Sequence, residues 1–423
     1  MRVWLITVGE PLPTDGADRL FRTGILAELL ANNGHDVVFW SSSFDHARKQ
    51  QRVDRNANVD VSPDFQLQLL FAPGYHRNIS LARHRNHQNV ALQFRKEAEQ
   101  APRPDVILCS LPTLELCHEA VAFGRRHQVP VVLDIRDLWP DLLLDLIPRP
   151  LRSYGRIFTR SMLQSVQTSC QQATAITGLT DQYVNWGLDY ARRSATRFDR
   201  PFPMAYVERP PSDEAAREAG QFWKQQGVSP DGDELIACFF GTIGRHFEIA
   251  PLMQAAKILA RSQRRIRLVI CGTGDQLDHC RQLAKGCLQV SFPGWVDSAK
   301  IWMLMRMSKL GLAPYVSSRN FTLNLPNKPI EYLSAGLPIV SSLQGVLAGI
   351  LAEHDCGVTY ENQSVDGIVA TLSTLYDDPA RLDAMSENAR TLYQESFVAE
   401  KVYAEMQQYL EAIASANVAR AAA

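Results

Sequence analysis

The sequence predicts an α/β protein made of two doubly wound, Rossmann-like domains, and three observations carry that prediction. Its 423 residues are more than one hydrophobic core holds. Short apolar runs rich in Val and Ile alternate with helical-period stretches from end to end. The alternation breaks once, at residues 195–211, where Pro, Arg and aromatic residues gather, and then resumes.

In the first series, residues 3–8, 37–40, 106–109, 131–134 and 173–177 read as strands. They are apolar on both faces, as strands of a parallel sheet covered by helices must be. Residues 19–32 read as a helix that stops at Gly34, the expected position for a residue with positive φ. In the second series, residues 235–240, 267–271, 289–292, 311–313, 338–341 and 357–360 read as strands. The expected division is a first domain over 1–200, a second over 205–395, and a closing helix in 396–423 that packs back on the first domain. Ligands of open α/β sheets bind beyond the carboxyl ends of the strands, so the domains are expected to face each other across a cleft that holds the site.

Composition narrows the class of function. A formal charge of −1 gives no general attraction to nucleic acid. Residues 1–200 carry 24 Lys and Arg against 21 Asp and Glu, and the remainder carries 20 against 24. Eight cysteines lie scattered with no Cys-x-x-Cys pair, which fits buried, reduced thiols of a cytoplasmic protein. The apolar run at the N-terminus is too short for a signal peptide or a span, so the expected location is the cytosol or the cytosolic face of a membrane. The ten histidines show no paired ligand spacing, and no metal or cofactor is expected. Asp231-Gly-Asp233 reads as a surface turn rather than a metal motif.

Gly241-Thr242-Ile-Gly244-Arg245 follows a strand and precedes a helix. Glycines there let backbone N–H groups approach an anion, the helix N-terminus favours negative charge, and Arg245 can grip phosphate in a bidentate way. Four stretches then carry a family likeness: residues 240–245, Ile270-Cys-Gly272-Thr-Gly274-Asp275, Val290-Ser-Phe-Pro-Gly-Trp295-Val296, and the block from Leu325-Pro-Asn327-Lys328 through Glu331 to Val340. In this order and spacing, the second half resembles the nucleotide-sugar domain of the retaining GT-B glycosyltransferases of family four. Thr14-Asp15-Gly16-Ala-Asp18 and Asp134-Ile-Arg136-Asp137-Leu-Trp-Pro140 resemble the branch that builds bacterial surface polysaccharides.

The resemblance implies a metal-independent, retaining transfer of a sugar from a nucleotide sugar, a substrate rather than a cofactor, to a lipid-linked saccharide. It gives Arg245 and Lys328 the diphosphate and Glu331 the ribose hydroxyls. It places Gly16, Gly241, Thr242, Gly244, Gly272, Gly274, Val296 and Asn327 around the donor. Trp295 either frames the base or is an interdomain core residue. Asp15 and Gly16 match the loop facing the reacting sugar in the first domain, the acceptor-binding one by this resemblance. Asp15 and Arg136 are carried as acceptor-side residues, and Asp137 with Arg245, Lys328 and Glu331 as catalytic. Arg136 and Asp137 form either a pair shaping that side or an ordinary buried ion pair. Three positions depart from the family: Ala250 and Leu323 replace its usual Lys and Glu, and Arg136 its usual His. Arg149, Arg152, Arg156 and Arg160 recur at spacings of three and four, on one face of an expected helix starting near Pro150. That face suits an anionic membrane or a lipid diphosphate, or else is simply solvated. An epimerase acting on the nucleotide sugar and a non-catalytic scaffold share the same donor motifs and remain the rival readings.

Overall fold

The computed structural model describes the chain apart from residues 17–19, 146, 149, 151, 230–233 and 423, and for residues 153, 156, 158 and 420–422 the backbone alone. Asp18, Arg149, Asp231 and Asp233, singled out above, therefore lie outside the described residues. The chain forms two compact units, Met1–Pro203 with Glu400–Ala423, and Met204–Ala399.

The first unit holds β1 (Arg2–Ile6), β2 (Asp36–Ser42), the short pair β3 (Phe44–Asp45) and β4 (Gln50–Gln51), β5 (Ala57–Ser62), β6 (Phe65–Leu70), β7 (Val106–Leu111), β8 (Val131–Ile135), β9 (Ala175–Gly178) and β10 (Arg200–Pro201). Its eight-stranded sheet has the order β10-β9-β8-β7-β1-β2-β6-β5 and is parallel except for the edge pair β5–β6. Every residue of β7 and β8 is buried, as two covered faces require. Beneath β1 and β2, Trp4 packs 4.9 Å from Trp40 and 5.0 Å from Phe123, ring centre to ring centre. No strand is expected over 57–70 from the sequence, yet β5 and β6 lie there. In β6, Phe65, Leu67 and Leu69 point inward while Gln66 and Gln68 stay half-exposed. This is the alternation of a strand near a sheet edge, not the apolar run of a central one.

The helix Arg22–Asn32 begins three residues later than expected. Arg22 itself is fully buried: its guanidinium grips Asp134 at the end of β8 (3.0 and 3.2 Å) and donates to the carbonyls of Phe202 and Pro203 (3.0 and 2.9 Å). The last helix, Ala399–Ala422, completes this unit. It buries Tyr403, Met406, Leu410 and Ile413, its Tyr409 hydroxyl donates to Phe198 O (2.8 Å), and Glu411 pairs with His35 (3.0 Å).

The second unit holds β11 (Leu235–Phe240), β12 (Ile266–Cys271), β13 (Val290–Gly294), β14 (Leu310–Ala313), β15 (Ile339–Ser341) and β16 (Gly357–Thr359). The sheet is parallel throughout, in the order β13-β12-β11-β14-β15-β16. Counted from β11, this is the Rossmann order 3-2-1-4-5-6, whose switch point lies between its first and fourth strands. Alternate residues of β11 feed two cores: Ile236, Cys238 and Phe240 on one face, Leu235, Ala237 and Phe239 on the other. The loops that leave β11, β12 and β14 are thus brought together at the switch point.

Candidate functional site

Three glycines let the loops after β11 and β12 touch. A Cβ on Gly272 would lie 1.8 Å from the Gly241 carbonyl oxygen, and one on Gly274 would lie 2.2 Å from the Ile243 carbonyl oxygen. Real side chains never approach so closely, so these positions need glycine, and φ values of +133° and +157° require it as well. Backbone hydrogen bonds lock the contact: Gly241 N to Cys271 O (3.0 Å), Ile243 N to Thr273 O (2.8 Å), and Gln276 N to Ile243 O (3.0 Å). Gly272 N donates to Gly294 O (2.7 Å), which fixes the loop bearing Trp295. Thr242, Arg245 and Trp295 are exposed on this rim, while Gly244 and Val296 are buried. Arg245 is 86% exposed and has Asp275 at 3.6 Å. Trp295 is 70% exposed, so it is not a core residue of the second unit.

The helix Asn327–Ser334 supplies the remaining groups. Tyr332 anchors it, donating to Leu312 O (3.0 Å) with Cys238 O at 3.3 Å, at the switch point itself. Gly311 makes room, since a Cβ there would lie 2.3 Å from the Tyr332 ring. One turn earlier, Lys328 lies across Gly241: a Cβ on that glycine would be 2.6 Å from Lys328 Cε and 2.7 Å from Nζ. The ammonium sits 4.7 Å from the Phe247 ring and 5.8 Å from Phe239. Glu331 is buried. Burial, and then the Glu331 charge, push the Tyr315 hydroxyl well above its ordinary pKa.

Sequence reasoning missed Glu248, which closes the far side of this loop. It is buried, its N–H donates to Pro314 O (2.6 Å), and its carboxylate accepts from Gln363 N (2.9 Å). Its only signal was an acidic residue directly ahead of an apolar helix. Among the described residues, no three His, Cys, Asp or Glu side chains cluster to hold a metal ion.

The first-unit candidates separate. Gly16, with φ +61°, turns the loop after β1. Asp15 does not face outward as an acceptor residue. Arg52 holds its carboxylate with two 2.6 Å hydrogen bonds and Leu12 N donates to it at 2.8 Å. Burial raises its pKa, but Arg52 outweighs burial and the group is held low. Arg136 also differs from expectation. Its partners are Asp134 (2.8 Å), Thr23 (3.0 Å) and Glu10, not Asp137, because fully buried Asp134 needs both Arg22 and Arg136. Asp137 instead lies near Tyr183, whose hydroxyl is pushed up by burial and then by the Asp137 charge.

The expected arginine face is not one helix. A short helix, Arg152–Phe158, ends before a second, Arg160–Gln172, with Thr159 between them. Arg152 turns back on its own chain, donating to Ile147 O (3.2 Å) and pairing with Asp145 (3.3 Å). Arg160 is exposed, the side chain of Arg156 is not described, and Arg149 lies outside the described residues.

Residues 221–392 match the family model described as Glycosyl transferases group 1. Among curated proteins, the phosphatidyl-myo-inositol mannosyltransferase of Mycolicibacterium smegmatis is 26% identical over 140 residues. That match covers 32% of this chain and 35% of that one, so it spans about a third of the relative's length. Among solved structures, sucrose-phosphate synthase from Thermosynechococcus elongatus aligns with a TM-score of 0.69 at 17% identity, covering 98% of this chain and 99% of that one. WaaG, a glycosyltransferase involved in lipopolysaccharide biosynthesis, aligns with a TM-score of 0.61 at 15% identity, covering 95% and 98%. The chain thus has the GT-B fold over its whole length, and residues 221–392, within its second unit, match the group 1 glycosyl transferase model.

Proposed function

We propose that the protein is a retaining glycosyltransferase, working without a metal ion, that moves a sugar from a nucleotide sugar to a lipid-linked saccharide in bacterial surface polysaccharide synthesis. The observation that carries the donor half is the packing of Lys328 against Gly241 at the switch point, in front of the two pressed glycine loops. A cation and backbone N–H groups at that place suit a diphosphate, and they stabilise the charge that grows on it as the glycosidic bond breaks. Arg245, exposed on the rim, is free to swing onto the same group. Glu331 is set one turn beyond Lys328, where a carboxylate suits ribose hydroxyls.

Retention and metal independence rest on the family resemblance. A leaving-phosphate oxygen takes the acceptor proton in this reading, so no carboxylate nucleophile is required. The lipid-linked acceptor draws support from the name of the mycolicibacterial relative and from the WaaG likeness. Among the described residues no helix is long and apolar enough to cross a membrane.

A thermal-shift panel with UDP, GDP, ADP, dTDP and CMP, with and without magnesium, tests the donor site. A ligand at about 100 times its dissociation constant stabilises the fold by about 2.7 kcal/mol. One nucleoside diphosphate should stand out without magnesium and lose its effect in Glu331→Ala. A flat response to all five removes the reading.

A further inference from the structure

A cluster in the first unit has no part in the site above. Its members follow β2, β6 and β8 in the chain, at the carboxyl end of the sheet, where an open parallel sheet receives its ligands. Tyr75 is the hub: its hydroxyl lies 2.5 Å from His46 Nδ1, and its ring lies 4.8 Å from Lys49 Nζ and 6.0 Å from the Arg83 guanidinium. Asn78 joins the two cations, its Oδ1 accepting from Lys49 (2.6 Å) and its backbone carbonyl from Arg83 (2.8 Å). The Arg83 guanidinium also lies 5.1 Å over the half-exposed Trp139 ring.

The charges do not balance. The hydrogen-bond partners of Lys49 and Arg83 are Asn78 and two imidazoles, His46 at 3.3 Å and His87 at 3.4 Å. Neither makes an ion pair among the described residues. Two carboxylates lie nearby without pairing with either cation. Asp45 accepts from the N–H groups of Ala47 and Arg48 (2.8 and 2.9 Å) and lies 3.5 Å from Arg52. Glu115 pairs with His84 (3.0 Å) and lies 3.9 Å from His87. The imidazoles register the excess. Burial first, then Lys49 and Arg83, push His46 down to about 4; burial first, then Arg83, push His87 down to about 3. At neutral pH two cations are therefore held by neutral groups, half-buried and already placed, beside two aromatic faces. A bound oxyanion offsets that excess and meets cations already held in place.

We propose that His46, Lys49, Tyr75 and Arg83 receive a phosphate-type oxyanion carried by the acceptor, with Trp139 flanking the group that bears it. This rests on reading the first unit as the acceptor-binding half. The phosphate belongs either to a soluble sugar phosphate or to a lipid headgroup, and both present the same oxygens.

The test follows the histidine-ring resonances of the full-length protein by NMR, with the His46 signal assigned from His46→Gln. The probes are inorganic phosphate, glucose 6-phosphate and dihexanoyl phosphatidylglycerol, with dihexanoyl phosphatidylcholine as the lipid control. At least one phosphate probe should shift the His46 signal saturably, in the wild type and equally in Lys328→Ala. Lys49→Gln and Arg83→Gln should each weaken that binding by about tenfold or more while retaining the wild-type circular dichroism spectrum and nucleoside diphosphate binding. A response to glucose 6-phosphate assigns a soluble phosphoester, and a response to the glycerol lipid alone assigns a headgroup. A His46 signal unmoved by every probe, or binding unchanged in both Gln variants, overturns the proposal. Nucleoside diphosphate binding with His46 silent would sink this site and leave the donor reading intact. The converse, His46 responsive and no nucleoside diphosphate bound, would sink the donor reading and leave this site standing.

Discussion

Gly272 and Gly16 both have positive φ, but their surroundings differ, and so do their expected costs. At Gly272 an added Cβ runs into the Gly241 carbonyl oxygen, which is backbone and tied into the adjoining loop. At Gly16 nothing lies within 4 Å, so alanine there meets only the strain of a left-handed residue. Gly272→Ala is expected to cost about 3 kcal/mol or more and Gly16→Ala about 1 kcal/mol, read from urea unfolding. Similar costs for the two would mean that the β11 and β12 loops do not press together. At this scale the sequence is informative wherever a residue type is dictated by its own backbone. Gly241, Gly272 and Gly274 are visible for that reason. It is silent where a residue's role depends on distant partners. Arg136 follows a strand and looks like a site residue, and only the fold shows that Asp134, Glu10 and Thr23 claim it.

Among the elements, the junction between the helix Arg22–Asn32 and β8 rests on a buried charge network. Asp134 is fully buried between Arg22 and Arg136. Burial alone raises its pKa; the two guanidinium charges outweigh that and hold the carboxyl below its ordinary 3.8. Because the folded pKa is depressed, this stabilisation is present above about pH 3.8 and is lost as pH falls through the lower, folded value. Asp134→Asn leaves Arg22 buried without its counter-ion and Arg136 with Glu10 alone, and is expected to cost about 3 kcal/mol or more at pH 7. The gap to wild type should narrow as urea titrations move below pH 3.8, and a gap independent of pH would contradict the assignment. Elements were legible where their periodicity was strong. All six strands of the second sheet appear as apolar runs, and Gly34 marks the end of its helix. The pair β5–β6 was illegible because Gln66, Gln68 and a polar partner strand hide an edge alternation. The arginine spacing misled because spacing alone does not show that the helix stops at Phe158.

For the whole molecule, the last helix belongs to the unit formed by the first residues of the chain. Removing Glu400–Ala423 uncovers the surfaces that meet Tyr403, Met406, Leu410 and Ile413, and leaves Tyr409 absent from Phe198 O. Four such side chains contribute about 1.5–3 kcal/mol each when fully buried, more than most domains can lose. Calorimetry of the truncated chain should show the first unit melting early or already unfolded, while the second keeps its transition and its nucleoside diphosphate shift. A uniform loss across both would contradict that division. The second unit's site was legible from order and spacing, since Gly241, Gly272 and Lys328 each stand at a strand end or helix start. The cluster of His46, Tyr75, Arg83 and Trp139 was not, because segments that follow three separate strands bring it together. The central claim is that Lys328, set over the pressed glycine loops, holds the diphosphate of a donor. It is tested most directly by calorimetric titration of the preferred nucleoside diphosphate, in EDTA, into wild type and Lys328→Ala. The account predicts saturable binding to wild type, weakened about tenfold to a hundredfold, or about 1.4–2.8 kcal/mol, in the variant. Equal affinity for the two proteins, or binding only when magnesium is supplied, would contradict it.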